Sequence, residues 1–321
     1  MKQKITRRDF LKLAGAGAAV TAALGYGALR ESNGGPIVER NPYVKPGSLF
    51  TAELDGSVPI LVVVNPDAEN KFGLFLTEIL RAEGVNCFHL ATLASLSAEV
   101  IGAYDVILLA ETPLTASQIE MFEGYVFNGG GLVSLKPAAG FESIFGWERN
   151  AGSLSDEYLL YDSAHPVNAG SNPLSLQYHG AADLYALTGG EGLAWLFTKH
   201  APYGKPAITM NQFGDGVAVA YAFDLAKSIA YMRQGNPALA NQDLDGLNGA
   251  RTVDMFVGWI DLERIQIPQA DEQQRMLVNT LAYLSKRPLP RLWYFPEDKK
   301  SVLIATGDSH SNPVPFIEEV L

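Results

Sequence analysis

Between residues 60 and 135, short apolar runs alternate with segments in which apolar residues recur at helical spacing. The run Ile60-Leu-Val-Val-Val64 has no polar position, which is typical of a parallel strand buried on both faces. The pattern predicts strands at 60–64, 85–90, 106–110 and 132–135, and helices at 72–83 and 116–128. Gly84 ends the first helix and Thr115 caps the second. This β-α-β-β-α-β order predicts an α/β fold with an open, mostly parallel sheet flanked by helices.

After Gly140 the pattern changes to short apolar runs separated by Gly, Asn, Asp and Pro. This change predicts a β-rich C-terminal elaboration, with apolar runs at 175–178, 194–198, 207–212 and 217–223. Gly214-Asp215-Gly216 between the last two runs indicates a hairpin. Helices are predicted again at 225–233 and 272–286, with Asp224 as the N-cap of the first.

The first 35 residues have the three parts of an export signal, namely a cationic start, a weakly apolar Ala/Gly-rich middle and a small-residue exit. The pair Arg7 and Arg8, followed by Phe10, Leu11 and Lys12, resembles a twin-arginine signal. We therefore expect the twin-arginine translocase as a partner and a periplasmic or extracellular location. No clean A-x-A cleavage site is visible, so retention of the signal as an uncleaved membrane anchor stays open.

Composition narrows the class of protein. The chain has 24 Lys and Arg against 35 Asp and Glu, a net charge of −11, which argues against a nucleic-acid partner because phosphate binding needs clustered cations. Hydrophobic residues make up 47%, enough for a sizeable core. The single cysteine, Cys87, excludes internal disulfides and Cys-x-x-Cys zinc sites. Because Cys87 falls inside the predicted strand 85–90, we expect a buried structural thiol there.

Two motifs in the body favour structural roles. Gly129-Gly130-Gly131 follows a helix and opens a strand, the reverse of a phosphate-binding loop, and so predicts a helix end and a tight turn. His165, His179 and His200 lie in loop-like sequence, where we expect caps and loop hydrogen bonds. A hydrolase site using His179 and Asp183 is the least favoured alternative, since no Ser, Cys or second His stands at a companion spacing.

Near the end of the chain, a predicted strand at 301–306 runs into Gly307-Asp308-Ser309-His310. Active sites of parallel-strand folds lie at this carboxyl end, so Asp308 is a candidate base and His310 a candidate metal ligand, with an ordinary polar turn as the alternative. One Asp and one His are too few for zinc, which needs at least three protein ligands. A domain rarely ends just after its first strand, so we expect this one to be truncated.

Three stretches carry a resemblance to a known superfamily: the strand at Ile60, the segment Glu-x-Tyr-Val-x-x-Gly-Gly-Gly-Leu-Val ending at Val133, and the run Gly-Asp-Gly-Val-Ala-Val-Ala-Tyr-Ala-Phe-Asp-Leu-Ala ending at Ala226. Residues 59–285 resemble the class I glutamine amidotransferase-like superfamily, flavodoxin-like in fold, in its non-catalytic ThuA-like or trimerisation-domain-like form. Active members place a cysteine on the elbow after the strand at 132–135. This chain has Lys136-Pro137-Ala138-Ala139-Gly140 there, which implies that a nucleophile and amidotransferase or protease chemistry are absent.

The tail resembles the first motif of a polysaccharide deacetylase-like (NodB-type) barrel, a strand followed by Thr-Phe-Asp-Asp. Thr306-Gly307-Asp308-Ser309 keeps the first Asp and replaces the second by Ser309. The resemblance implies that Asp308 acts as a base against an N-acetyl or ester carbonyl. It implies a divalent metal such as zinc in the full-length protein only if His310 replaces the missing ligand, and no cofactor in this chain.

Together these features predict a signal at 1–35, a linker at 36–58, an α/β domain at 59–287, and a linker plus the first deacetylase-like strand at 288–321. The predicted function is an exported protein in which a catalytically silent binding or assembly domain is fused to a carbohydrate-active, metal-dependent deacetylase-like hydrolase. The alternative is a non-enzymatic, exported carbohydrate-binding or structural protein with a degenerate deacetylase domain. Carbohydrate and a second copy of the chain are the further partners considered.

Overall fold

The structure is a computed structural model that describes residues 53–244, 246 and 249–292. The strands of the described part are β1 Ile60–Val64, β2 Phe88–Thr92, β3 Val106–Leu109, β4 Gly131–Leu135, β5 Trp147–Ser155, β6 Tyr158–Tyr161, β7 Leu176–Gln177, β8 Ala181–Leu187, β9 Glu191–Phe197, β10 Pro202–Phe213 and β11 Gly216–Tyr221. Its α-helices are α1 Leu76–Ala82, α2 Ala98–Gly102, α3 Ala116–Phe127, α4 Glu142–Phe145, α5 Leu225–Gln234 and α6 Gln269–Leu284. Short 3₁₀ helices lie between them at Phe72–Phe75, Leu93–Ser95, Pro166–Asn168, Pro237–Leu239, Thr252–Phe256 and Leu262–Arg264.

Nine of these strands form one sheet in the order β2-β1-β3-β4-β11-β10-β9-β6-β7. The pairs from β2 to β11 are parallel, and those from β11 to β7 are antiparallel. The predicted α/β class is confirmed. The β-rich elaboration is also present, and the structure adds that it is inserted in the chain between β4 and β11. The strand that follows the insertion, β11, pairs with β4 and belongs to the parallel half of the sheet.

Burial explains why the parallel strands are the best defined in the sequence. All residues of β1, β3 and β4 are buried, as their unbroken apolar runs predict. Helix α3 starts at a capping box in which the Thr115 hydroxyl accepts from the Gln118 N–H and the Gln118 side chain accepts from the Thr115 N–H. The apolar faces of the helices belong to the same core as the strands, with Phe122, Leu225 and Leu277 fully buried.

The structure differs from the predicted elements in several places. Strand β2 begins at Phe88 instead of residue 85, because its partner β1 begins at Ile60, which pairs with Phe88. Val85 forms only an isolated bridge with Arg291. The predicted helix at 72–83 is a 3₁₀ turn followed by α1, and α6 starts three residues earlier than predicted, just after Pro268. Strands β5, β6 and β8 and the short helices α2 and α4 were not predicted.

Cys87 is a correction that follows from the shifted strand. The thiol lies just before β2 rather than inside it, and its residue is partly exposed instead of buried. Partial burial raises the pKa of the Cys87 thiol above its ordinary value, which disfavours the thiolate. The expectation of a buried thiol is therefore wrong, and the structural role of Cys87 stays a prediction.

In the part of the chain that the structure describes, no helix combines the length and apolar character needed to cross a membrane.

Candidate functional site

The polar residues that follow the parallel strands meet at one edge of the sheet. Lys136 follows β4 directly, Glu111 lies two residues after β3, and Asp224 lies three residues after β11. These strands are parallel neighbours, so their carboxyl ends open on the same side. Here a cavity of about 560 Å³ is lined by these three side chains together with Asn70, Phe72 and Lys227. We call this cavity the edge cleft.

Lys136 stands on a strained turn that lines this cleft. Its φ of 42° lies in the left-handed region, which side chains other than glycine rarely adopt. The Lys136 N–H donates to the Tyr221 carbonyl oxygen at 2.8 Å, so the turn is tied to β11. The Lys136 Nζ lies 3.7 Å from Glu111 Oε1 and 4.0 Å from Asp183 Oδ1. The ammonium is therefore held between two carboxylates.

Asn70 joins the other two acids of the cleft. Its Nδ2 donates to Glu111 Oε2 and to Asp224 Oδ2, both at 2.7 Å. Burial raises the pKa of Glu111, and the negative charge of Asp224 raises it further. The positive charge of Lys136 lowers this pKa, but the net shift is upward. Burial also raises the pKa of Asp224, although its carboxylate accepts the N–H groups of Ala226 and Lys227. The carboxyl groups of Glu111 and Asp224 thus share the Asn70 amide as a donor, and both are shielded from solvent by burial.

Arg149 contacts the elbow at Pro137 and also pairs with two nearby carboxylates. Its guanidinium pairs with Asp183 and Glu142 and donates to the Pro137 carbonyl oxygen at 2.9 Å. The indole of Trp147 stacks on Tyr185 at 3.8 Å, and Arg149 lies 5.5 Å from the centre of each ring. The Asp183 carboxylate that faces Lys136 is thereby fixed by a packed layer beneath it.

Phe72 and Lys227 add an aromatic ring and a further ammonium to the lining of the edge cleft. Lys227 Nζ lies 5.8 Å from the centre of the Phe72 ring and 5.4 Å from that of Tyr231. The Lys227 stem runs beside Gly180, where an added Cβ would lie 3.4 Å from Lys227 Cδ. The cleft thus offers ammonium and amide donors, carboxylate acceptors and one apolar ring. It offers no thiol or hydroxyl at the elbow.

The predicted structural motifs of the body behave largely as expected. Asp224 is the N-cap of α5, and Gly129 has a φ of 97° at the end of α3 before β4 begins at Gly131. His165 caps a 3₁₀ helix, with its Nδ1 accepting from the Val167 N–H at 3.2 Å.

His179 does not follow the prediction of a capping or loop hydrogen bond, because neither ring nitrogen has a hydrogen-bond partner in the described residues. Its ring instead stacks on Trp259 at 4.0 Å. Among the described carboxylates, Asp156 is the one that approaches the ring, with its Oδ1 3.5 Å from Nδ1, whereas Asp183 pairs with Arg149 and Lys136. The structure therefore does not join His179 and Asp183 in a dyad.

The remaining candidate residues lie outside the described residues. These are Arg7 and Arg8 of the signal, Asp308 as base and His310 as metal ligand. Within the described residues, no group of three or more His, Cys, Asp or Glu side chains could hold a metal ion.

Sequence reasoning missed Glu111, Asn70 and Arg149, and it noted Lys136 only as the residue that replaces a nucleophile. A signal was available for two of them, since Glu111 and Lys136 are charged residues directly after the predicted strands 106–110 and 132–135. Asn70 lies in a loop and Arg149 in the unpredicted strand β5, so neither directly follows a predicted strand. Their roles depend on contacts over 41 and 34 residues of chain.

Comparison with known proteins identified the signal. Residues 4–24 match the family model described as the TAT (twin-arginine translocation) pathway signal sequence. A comparison with curated proteins found no match.

Solved structures share parts of the fold at low identity. A β-galactosidase from Rahnella sp. R3 is 14% identical with a TM-score of 0.42, and the match covers 55% of this chain and 31% of that one. A protein from Bacteroides uniformis described as ThuA-like is 16% identical with a TM-score of 0.44, covering 73% and 96%. A cytoplasmic protein from Salmonella typhimurium is 12% identical with a TM-score of 0.47, covering 72% and 100%. The chain spans about a third of the length of the β-galactosidase it matches.

The signal match and the sheet together define what this chain is. It carries a twin-arginine signal, is handled by the twin-arginine translocase, and is exported to the periplasm or the extracellular space with an α/β domain whose charged cleft lies at the carboxyl edge of the parallel strands.

Proposed function

We propose that the α/β domain is a non-catalytic binding domain that takes a neutral, polyhydroxylated ligand of the carbohydrate class in the edge cleft. The observation that carries this proposal is the elbow after β4, where Lys136 stands between Glu111 and Asp183. An ammonium held by two carboxylates is a hydrogen-bond donor and a poor nucleophile.

The charges of the cleft support a neutral ligand. Its lining contains three lysines and three carboxylates, which balance one another: Glu69, Lys71, Glu111, Lys136, Asp224 and Lys227. Sugar hydroxyls both donate and accept, so they suit adjacent carboxylate, amide and ammonium groups. The half-buried Phe72 ring offers an apolar face for the C–H side of a sugar.

A glycan array followed by calorimetry with the best ligand tests this function. Lys136→Met and Glu111→Gln each remove one polar partner, and we expect about tenfold weaker binding or more for each, as for hydrogen bonds to charged groups. Lys286→Met changes an exposed lysine after α6 and is the matched control, with affinity unchanged. Absence of binding to every glycan, or equal affinity in all variants, would contradict the proposal.

We further propose that residues 288–321 belong to a carbohydrate-active, deacetylase-like hydrolase part, with Asp308 as base. The support is the sequence motif Thr306-Gly307-Asp308-Ser309 alone. The described residues do not fit a metal site, so metal dependence rests on His310 and on residues beyond them.

Acetate release from N-acetylated and O-acetylated oligosaccharides, measured with and without a chelator, tests the hydrolase part. We expect Asp308→Asn to abolish release and Ser309→Ala to leave it. If no acetate is released, the alternative of a non-enzymatic exported binding or structural protein is the one that stands.

A further inference from the structure

A second cavity of about 580 Å³ lies beside the edge cleft. It is lined by the turn between β5 and β6, by Lys199 and by the loop 258–263, and it shares His179 with the edge cleft. We call it the second cleft. Its lining is acidic, with four carboxylates and one lysine: Asp156, Glu157, Asp261, Glu263 and Lys199.

Two of these four acids are used within the fold. Asp261 pairs with Arg264, accepts from the Tyr158 hydroxyl at 2.9 Å, and lies 3.3 Å from Lys199 Nζ. These donors lower its pKa to about 2 in spite of burial. Glu263 lies 3.4 Å from the same Lys199 ammonium. Asp261 and Glu263 are therefore already compensated.

The other two acids form no salt bridge with a described lysine or arginine, although the His179 side chain, the Gly180 N–H and, more weakly, the charge of Lys227 lower the pKa of Asp156. Asp156 has a φ of 54°, and its Oδ1 accepts from the Gly180 N–H at 2.9 Å. Among the described residues, its ion-pair neighbour is His179. Glu157 forms no salt bridge in the described part of the chain. The turn thus presents two adjacent carboxylates to the cavity, and neither forms a salt bridge with a described lysine or arginine.

His179 is a separate observation at the same cavity. Its side chain is 1% exposed, and both ring nitrogens lack a hydrogen-bond partner in the described residues. A buried polar group without a partner is costly and uncommon in folded proteins. The ring cannot turn freely to find one, because it is stacked on Trp259 at an interplanar angle of 10°. Because Nδ1 already lies 3.5 Å from Asp156 Oδ1, the partner that a ligand donor in the cavity would supply is the one for Nε2.

We infer that the second cleft binds a ligand that carries a protonated primary amine, held by Asp156 and Glu157 and by a ring nitrogen of His179. An ammonium has three donors and no acceptor. The two carboxylates accept only, and a neutral imidazole has one acceptor nitrogen, so three acceptors match three donors. The excess negative charge of the cavity selects a cation over a neutral isostere.

Two probes of equal length distinguish charge from shape. Cadaverine carries an ammonium at each end, and 1,5-pentanediol carries hydroxyls at the same positions. Calorimetry on the whole protein is expected to show 1:1 binding of cadaverine that weakens at least tenfold between 50 and 500 mM salt, and no binding of the diol.

Variants locate the binding. Asp156→Asn keeps the Oδ1 acceptor for Gly180 and a residue that tolerates positive φ, and Glu157→Gln touches no backbone group. Each is expected to weaken cadaverine binding about tenfold or more, with an unchanged melting temperature for Glu157→Gln. Glu148→Gln, on an exposed position of β5, removes the same charge elsewhere and should leave the affinity unchanged.

Three results would each overturn the inference: equal binding of the diol, equal loss in Glu148→Gln and Glu157→Gln, or no cadaverine binding at millimolar concentration. Lys136→Met lies in the edge cleft and should not alter cadaverine binding. Failure of glycan binding therefore does not count against the second cleft, and failure of cadaverine binding does not count against the edge cleft.

Discussion

At the residue scale, the most informative side chain is Lys136. It combines a positive φ, a backbone hydrogen bond to β11 and two carboxylate neighbours. Strained backbone of this kind persists only where the surroundings hold it, and here Arg149 holds both Asp183 and the Pro137 carbonyl. These contacts hold the turn in place and put the Lys136 ammonium between Glu111 and Asp183 at the edge cleft.

Glu111 gives a pH prediction at this scale. Its pKa is raised above the ordinary value of 4.5, so the native state binds the proton more tightly than the unfolded state. The contribution of Glu111 to the free energy of unfolding therefore falls as pH rises through 4.5 and the higher native pKa. Glu111→Gln cannot ionise, and we expect its stability relative to wild type to increase over this range and then level off.

Urea denaturation of both proteins from pH 4 to 8 measures this difference. Glu148→Gln, at an exposed position, controls for the loss of one charge. A difference between Glu111→Gln and wild type that shrinks with rising pH would show that burial does not dominate at Glu111.

At the element scale, the β10–β11 hairpin brings the last parallel strand back beside β4. Its turn requires Gly214, which has a φ of 60° and lies against the end of α3. A Cβ at this position would come within 2.4 Å of the Phe127 carbonyl oxygen. The hairpin and α3 therefore fit together only because residue 214 has no side chain.

Two glycines of the same hairpin separate strain from clash. Gly204 has a φ of 76° with no atom within 4 Å of an added Cβ, so Gly204→Ala should cost only the backbone strain, about 1–2 kcal/mol. Gly214→Ala adds a backbone clash, and we expect it to cost about 1–3 kcal/mol more. Chemical denaturation provides both values, and equal losses would mean that α3 moves away without cost.

At the scale of the whole molecule, export and the two clefts are the defining features. The signal match at residues 4–24 establishes the route, and the two cavities meet at His179. The insertion between β4 and β11 supplies the β5–β6 turn and His179, while the parallel strands supply Glu111 and Lys136. The edge cleft and the second cleft therefore lie where the insertion contacts the parallel half of the sheet.

The export route yields a prediction for the complete chain. Replacing Arg7 and Arg8 together by lysine keeps the charge and removes the two guanidinium groups that define the motif. We expect the protein to remain in the cytoplasm, as measured by cell fractionation and immunoblotting. A variant with Lys2 and Lys4 replaced by arginine is the control and should be exported. Normal export of the double lysine variant would contradict the twin-arginine route.

The sequence alone predicted the elements whose burial leaves a pattern. The strands β1, β3 and β4 are unbroken apolar runs, and α3 and α5 carry caps at Thr115 and Asp224. Strand β5 was missed because most of its residues are polar and exposed or half-buried, so its sequence has no alternation of apolar and polar residues. Its partner β8 was missed as well, since its buried positions do not alternate regularly either. The signal was predictable because it is read as linear sequence.

The sites depended on tertiary structure. Asp224 was predictable as a helix cap, but its meeting with Asn70 joins positions 154 residues apart. His179 was predicted to make loop hydrogen bonds, whereas packing placed it against Trp259, 80 residues further along the chain, with neither ring nitrogen hydrogen-bonded to a described residue. Local patterns encode which residues are buried and where helices begin, because those depend on near neighbours. Which charges face one another depends on strand order and register, which long-range burial decides.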